Sequence, residues 1–321
     1  MPRRRGVLAL VALLALASPS CGNEVPAGGV AASPRRPPGP RVVHRLDATD
    51  LLPADLDLVV RIDLARMRAG LGPDAIEQLL RRSVPGEDQE LLREALHRAE
   101  VVWVALRASD VDRGDRVVVV EGPLAGIAPD AARWRIQKSE DPKVRFYDRE
   151  DAPPRGSTAR IVAVRDRVLA FVTPVEVASV ARVVRDGPDE KRGDPAAEGI
   201  VSIDVRAHRL PPDLERRFPS IAAIIAGVDR VRGTATLVDE GARVEADVSA
   251  RTPEAAERAL KFLLAVCDNV SEPRYVAALA SARLERVGAT VRLRWLVPGK
   301  TVLGLLSGED KPPDAAPQPT P

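Results

Sequence analysis

The sequence predicts an α+β fold made of two similar β-α-β-β-α-β-β-α units, an internal duplication with mostly antiparallel sheets and helices on one face. Three observations predict it. Val244, Ala246, Val248 and Ala250 alternate with Arg243, Glu245, Asp247 and Ser249, the period of a strand with one buried and one wet face. Pro-initiated segments with apolar residues every three or four positions separate such strands. The order of these elements then recurs further along the chain. Strands joined as hairpins with helices between them argue for helices layered on antiparallel sheets.

The first element is an address. Met1-Pro2-Arg3-Arg4-Arg5 is basic, Val7 to Ala17 contains only Val, Leu and Ala, and small residues follow. Residues 1–20 therefore read as a secretory signal peptide. The apolar run of eleven residues falls short of the roughly 20 that span a bilayer. Cys21 directly follows, and the arrangement resembles a bacterial lipoprotein signal, in which the Cys becomes the acylated, palmitate-bearing first residue. Ser18 and Ser20 stand where such signals prefer Leu and Gly or Ala. Cleavage after Ala15-Leu16-Ala17, with Cys21 left as a free thiol, is the alternative. At about 0.8 kcal/mol per buried CH₂, two or more acyl chains hold a protein on a membrane where one does not. Gly22 in place of an acidic residue implies, by the same resemblance, the outer membrane, facing the periplasm.

Residues 21–50 carry the lipidated Cys and a tether. Positions 22–41 hold four Gly and five Pro, which forbids a regular element. Arg35, Arg36 and Arg41 lie in it and would add attraction near an anionic leaflet.

The first unit spans 51–190 and the second 199–306. Val59-Val60-Arg61-Ile62-Asp63-Leu64 matches Ile200-Val201-Ser202-Ile203-Asp204-Val205, with Arg68 and Arg209 five residues on. Helices open at Pro73-Asp74 and Pro212-Asp213. Gly114-Asp115-Arg116-Val117 matches Gly241-Ala242-Arg243-Val244. Second helices open at Pro129-Asp130-Ala131-Ala132 and Pro253-Glu254-Ala255-Ala256, and closing hairpins begin at Ala159 and Ala282. Each unit ends in a Pro-initiated helix, at Pro174 and Pro298; Thr173-Pro174-Val175-Glu176 reads as a capping box. The first unit inserts another helix over 87–99, with Leu91, Leu92, Ala95 and Leu96 on one face. Val117 to Val120 is apolar throughout and predicts a central strand. The clusters at 148–157 and 186–198 are loops, the second being the better domain boundary. Residues 307–321, with five Pro, form a disordered tail.

Leu52-Pro53-Ala54-Asp55, leading into the strand that ends Asp63-Leu64 and on to Arg68, resembles the opening of certain uncharacterised bacterial lipoproteins and exported proteins. The resemblance implies export and transfers no catalytic residue.

Chemistry is sparse. Asp63 and Asp204 recur at equivalent places and are the candidates for an acid pair; the structural alternative is that each ends a strand and caps the next turn. Gly299-Lys300-Thr301 lacks the upstream glycine of a phosphate loop, because Arg294 holds that position. Asp110 to Asp115 resembles a calcium loop in the wrong order and reads as a hairpin turn. His44, His97 and His208 have no ligand partners at metal spacing. Cys267 lies on a helix face with Ala256, Leu260, Leu263 and Leu264 and reads as a small core hydrophobe whose thiol Asp268 pushes up. With Cys21 acylated, no disulfide is possible.

Nine aromatic residues in 321 argue against base-stacking platforms, and without Arg3, Arg4 and Arg5 the net charge falls from +2 to −1. No nucleic acid, cofactor or metal is expected. The expected function is a non-catalytic binding or interaction module held on a membrane through Cys21, its partner another envelope protein. A carrier of a lipid or apolar ligand is the first alternative and an envelope hydrolase the second.

Overall fold

The structure, a computed structural model, describes residues 46–83, 90–107, 115–139, 141–151, 153, 156–187, 197–206, 219–270, 276 and 279–307. Cys21, the tether, His44, His208, Pro212-Asp213, the centre of the 186–198 boundary and the tail lie outside the described residues. The fold is α+β, with one large antiparallel sheet and, among the described residues, seven α-helices.

The strands are β1 (Leu58–Asp63), β2 (Val101–Leu106), β3 (Arg116–Glu121), β4 (Trp134–Lys138), β5 (Val144–Arg149), β6 (Arg160–Val164) and β7 (Val168–Val172), then β8 (Val201–Arg206), β9 (Val228–Val238), β10 (Gly241–Ala250), β11 (Arg283–Val287) and β12 (Thr290–Pro298). The helices are α1 (Leu64–Leu71), α2 (Pro73–Ser83), α3 (Glu90–Arg98), α4 (Val177–Asp186), α5 (Pro219–Ala226), α6 (Pro253–Asp268) and α7 (Gly299–Ser307). All twelve strands join one sheet in the order β11-β12-β10-β9-β8-β1-β2-β3-β7-β6-β5-β4. The sheet crosses the expected boundary without a break, because β1 and β8 pair antiparallel. Outward from that seam, the order β1-β2-β3-β7-β6 mirrors β8-β9-β10-β12-β11.

The two flanks bury the sheet differently. Between β1 and β7 both faces are core. On the first face Val60, Val102, Val104 and Val120 pack under α1, α2 and α3 through Met67, Ile76, Leu80 and Leu96. On the second face Val59, Ala105, Val117, Val119 and Ala170 pack under Leu51, Leu56 and Val180 of α4. Between β8 and β12 the first face alone is covered by described residues. Val248 and Val291 meet Ala256 and Ala259 of α6, and Ala242 and Val297 meet Val302 of α7. The α7 helix also packs on α2 and ties the two layers together.

Three expectations need correction. The helices do not keep to one face, because α4 lies opposite α1–α3. Pro129-Asp130 opens no helix. Asp130 instead closes a turn, accepting at its carbonyl from Arg133 N and Trp134 N and at Oδ1 from Ala132 N, and the chain enters β4 to pair with β5. Asp after Pro signals a helix start and an Asx turn equally well, and here the strand partner decides. The capping box at Thr173 does not form either. The Thr173 hydroxyl is spent on the Arg116 backbone, donating to its carbonyl at 3.1 Å and accepting its N–H at 2.9 Å.

Candidate functional site

The seam between β1 and β8 carries the sequence candidates. Arg61 lies directly opposite Ser202, and Asp204 opposite Val59. Side chains opposite one another share a face, so Arg61, Asp63, Ser202 and Asp204 form a polar row on the second face. All four are buried, at 6%, 6%, 0% and 2% exposure. The row lies where the second-face core of β1–β7 ends and the open sheet begins.

Asp63 does two things. Its Oδ1 accepts the Arg66 N–H at 2.9 Å and so caps α1, while Oδ2 accepts from the Arg61 guanidinium at 3.2 Å. Arg61 donates again to the Gly199 carbonyl at 3.4 Å, and its buried Nε has no acceptor among the described residues. Gly199 is required there. A Cβ would lie 2.7 Å from the Ala235 carbonyl oxygen, backbone that cannot swing aside.

Asp204 differs from the expected strand-ending cap. Its strand continues through Val205 and Arg206, and its two oxygens accept from Arg230 of β9 at 2.6 and 2.8 Å. That bidentate bond raises the Arg230 pKa against the lowering effect of burial. Asp63 and Asp204 are four residue steps apart along the paired strands, about 13 Å. At that distance they cannot share a proton or a metal ion, so the sequence candidates do not form a joint acid site.

A second buried ion pair had no sequence signal. Glu176 is 1% exposed, and Arg107 donates to its oxygens from Nε at 2.7 Å and from a terminal nitrogen at 3.1 Å. Arg107 also reaches Asp55 Oδ2 at 2.7 Å. The Glu176 bonds hold the Arg107 guanidinium protonated beyond its ordinary range, with burial opposing and Asp55 assisting. The fork pins Leu-Pro-Ala-Asp to the turn before α4.

Elsewhere, His97 Nδ1 sits 2.9 Å from Glu77 at the end of α3. Gly299-Lys300-Thr301 simply opens α7. Asp110 to Gly114 lies outside the described residues. No set of three or more His, Cys, Asp or Glu poised for a metal occurs among the described residues, and no helix there is long and apolar enough to cross a membrane. Cys267 is half-buried, not core. The residues that α6 buries are Ala255, Ala256 and Ala259 in its first half, while Leu264 is 41% exposed. Burial first, and Asp268 second, push the Cys267 thiol up.

The open second face of β8–β12 is the remaining feature. One row across the strands reads Asp204, Arg232, Asp247, Arg292, Glu285, a checkerboard with Arg292–Asp247 at 3.7 Å. The next reads Ser202, Thr234, Glu245, Arg294, Arg283, with Arg294–Glu245 at 3.9 Å.

No family model matches the chain, and no curated protein matches it. Among solved structures it is similar to crystal forms I and III of TP0453, at 9% and 10% identity, each with a TM-score of 0.47 and coverage of 82% of this chain and 97% or 98% of that one. Crystal form IV of TP0453 is similar at 12% identity and a TM-score of 0.46, covering 81% of this chain and 96% of the other. The likeness concerns the overall course of the chain, and no residue role passes across it.

Proposed function

We propose that this chain is an envelope lipoprotein, anchored by acyl chains on Cys21 to the outer membrane facing the periplasm, and that it acts as a non-catalytic binding module. The carrying observation is the run from Arg3-Arg4-Arg5 through Val7–Ala17 to Cys21, followed by a Pro/Gly-rich tether. The engagement of Asp63 with Arg61 and of Asp204 with Arg230 supports a non-catalytic role, since each carboxylate is held in an ion pair. The reading includes an internal duplication. Its support is the mirrored strand order about the seam, with Arg61 facing Ser202, its counterpart in the sequence repeat.

The test is metabolic labelling with palmitate, combined with the mass of the mature chain. Expected are a first residue at Cys21 bearing acyl chains, and loss of label in Cys21→Ala. A full-mass, unlabelled protein in the soluble fraction, Met1 in place, overturns the reading.

A second reading is a carrier of a lipid or apolar ligand. What favours it is the half-buried apolar second half of α6, where Phe262, Leu263, Val266 and Cys267 are all partly open. Native mass spectrometry of gently extracted protein should then show adducts of lipid mass; wholly unliganded protein removes it.

A further inference from the structure

We infer that the open face of β8–β12 docks on the phosphate headgroups of an anionic lipid leaflet, with two cross-strand arginine pairs as its contact points. The inference deepens the membrane-held reading above and rests on it for location. It starts from an imbalance. The face carries Arg206, Arg230, Arg232, Arg243, Arg283, Arg292 and Arg294 against Asp204, Glu245, Asp247 and Glu285. The chain as a whole is near neutral, so its average charge hides this surplus.

The surplus is concentrated where it costs most. Arg206 stands directly opposite Arg230, and Arg283 directly opposite Arg294. Like charges directly opposite on a sheet destabilise it. In each pair one arginine is already committed to a carboxylate, Arg230 to Asp204 and Arg294 to Glu245. Arg206 and Arg283 have no carboxylate within ion-pair reach among the described residues. Two guanidinium groups on side chains rooted about 5 Å apart can converge on one phosphate, and the planar fork suits its oxygens.

Charge complementarity selects the occupant. A second copy of this face would bring together two surfaces that each carry a surplus of arginine. A leaflet presents many phosphates in one plane, which suits arginines spread over five adjacent strands of one face. Arg35, Arg36 and Arg41 in the tether have the same sign and would reinforce it.

The test uses the full chain as processed by its host, with vesicles of phosphatidylcholine alone and of phosphatidylcholine mixed with phosphatidylglycerol. Arg206→Gln with Arg283→Gln spares the partners of Asp204 and Glu245. The expected loss is about fivefold per arginine, roughly 25-fold in all, on the anionic vesicles alone, and it shrinks as salt rises. Thermal stability should hold or rise, because a repulsion is removed; a purely structural role would lower it. Equal binding by parent and variant overturns the inference. So does a preference abolished only by Arg35→Gln, Arg36→Gln and Arg41→Gln, or displacement by inorganic phosphate alone. The anchor has its own readout. A chain that ignores phosphatidylcholine but still prefers the anionic vesicles refutes acylation and leaves the docking face standing.

Discussion

Strands β3 and β10 occupy mirrored places in one sheet, yet they live in different surroundings. In β3, Val117, Val118, Val119 and Val120 are all buried, with odd positions under α4 and even positions under the α1–α3 layer. In β10, Ala242 and Val248 are buried while Arg243, Glu245 and Asp247 face outward with nothing described above them. The difference lies in one covering layer. The 3-10 turn at Ala48–Leu51, Leu56 and α4 roof the second face on one flank, and no described element does so on the other. Stability is therefore concentrated in β1–β7, and β8–β12 is free to spend a whole sheet face on charge.

The widest gap between the flanks should come from placing one charge on the same face of each. Val119 faces Trp103 and Ala170 in the sheet and has no exposed surface. Val119→Asp buries an unpaired carboxylate and should cost more than about 4 kcal/mol, enough to unfold a chain of ordinary stability. Thr236→Asp, on the open face beside Arg243, should stay within about 0.5 kcal/mol. Urea midpoints decide it; similar losses at both positions would erase the distinction.

Ion pairs should repeat the contrast on a smaller scale. Glu176→Ala removes a buried carboxylate and should cost about 3 kcal/mol, the lower end for breaking a buried pair because Arg107 keeps Asp55. Glu257 on α6 holds Arg286 and Lys261 at the surface, so Glu257→Ala should cost no more than about 1 kcal/mol. Calorimetry that ranks Glu257 above Glu176 would contradict the burial argument.

The readable parts of this molecule were those with a clean period. The alternation around Val244 and Arg243 announced a one-sided strand, and the apolar run at Val117 announced a two-sided one. Thr252-Pro253 announced α6, whose N-cap hydroxyl accepts from Ala255 N. What failed were signals with two meanings. Pro129-Asp130 suits a turn as well as a helix, and Thr173 had a tertiary partner that a capping motif cannot reveal. The site was harder still. Arg61 and Asp63 stand two apart in sequence, but the pairing of Asp204 with Arg230 follows only from the β8–β9 register. The opposed arginines are likewise invisible until that register is known.

The seam residues give the third contrast. Asp63→Asn keeps the cap on α1, since Asn caps as well as Asp, but strips a buried guanidinium of its carboxylate. A loss of about 2 kcal/mol is expected, largely recovered when Arg61→Met is added. The counterpart Asp204→Asn frees Arg230, which is 28% exposed and turns to water, so about 1 kcal/mol should suffice. A double-mutant cycle that finds no coupling between positions 61 and 63 would break the seam account.

The smallest effect concerns Cys267, which the thin cover of the second flank leaves half open. Burial raises its thiol pKa first and the Asp268 charge raises it further. Because the folded thiol titrates above the unfolded one, any stability this group lends is complete below the unfolded value. It fades as pH climbs through the folded one. Alkylation at Cys267, followed by peptide mass against pH, should reach its midpoint above that of a free cysteine. Asp268→Asn should move the midpoint part of the way back, because burial, the larger cause, remains. Folding stability should change by less than about 0.5 kcal/mol, as for other exposed positions. A midpoint at or below the ordinary cysteine value would mean that the second half of α6 is more open still, and the flanks more unequal than β3 and β10 suggest.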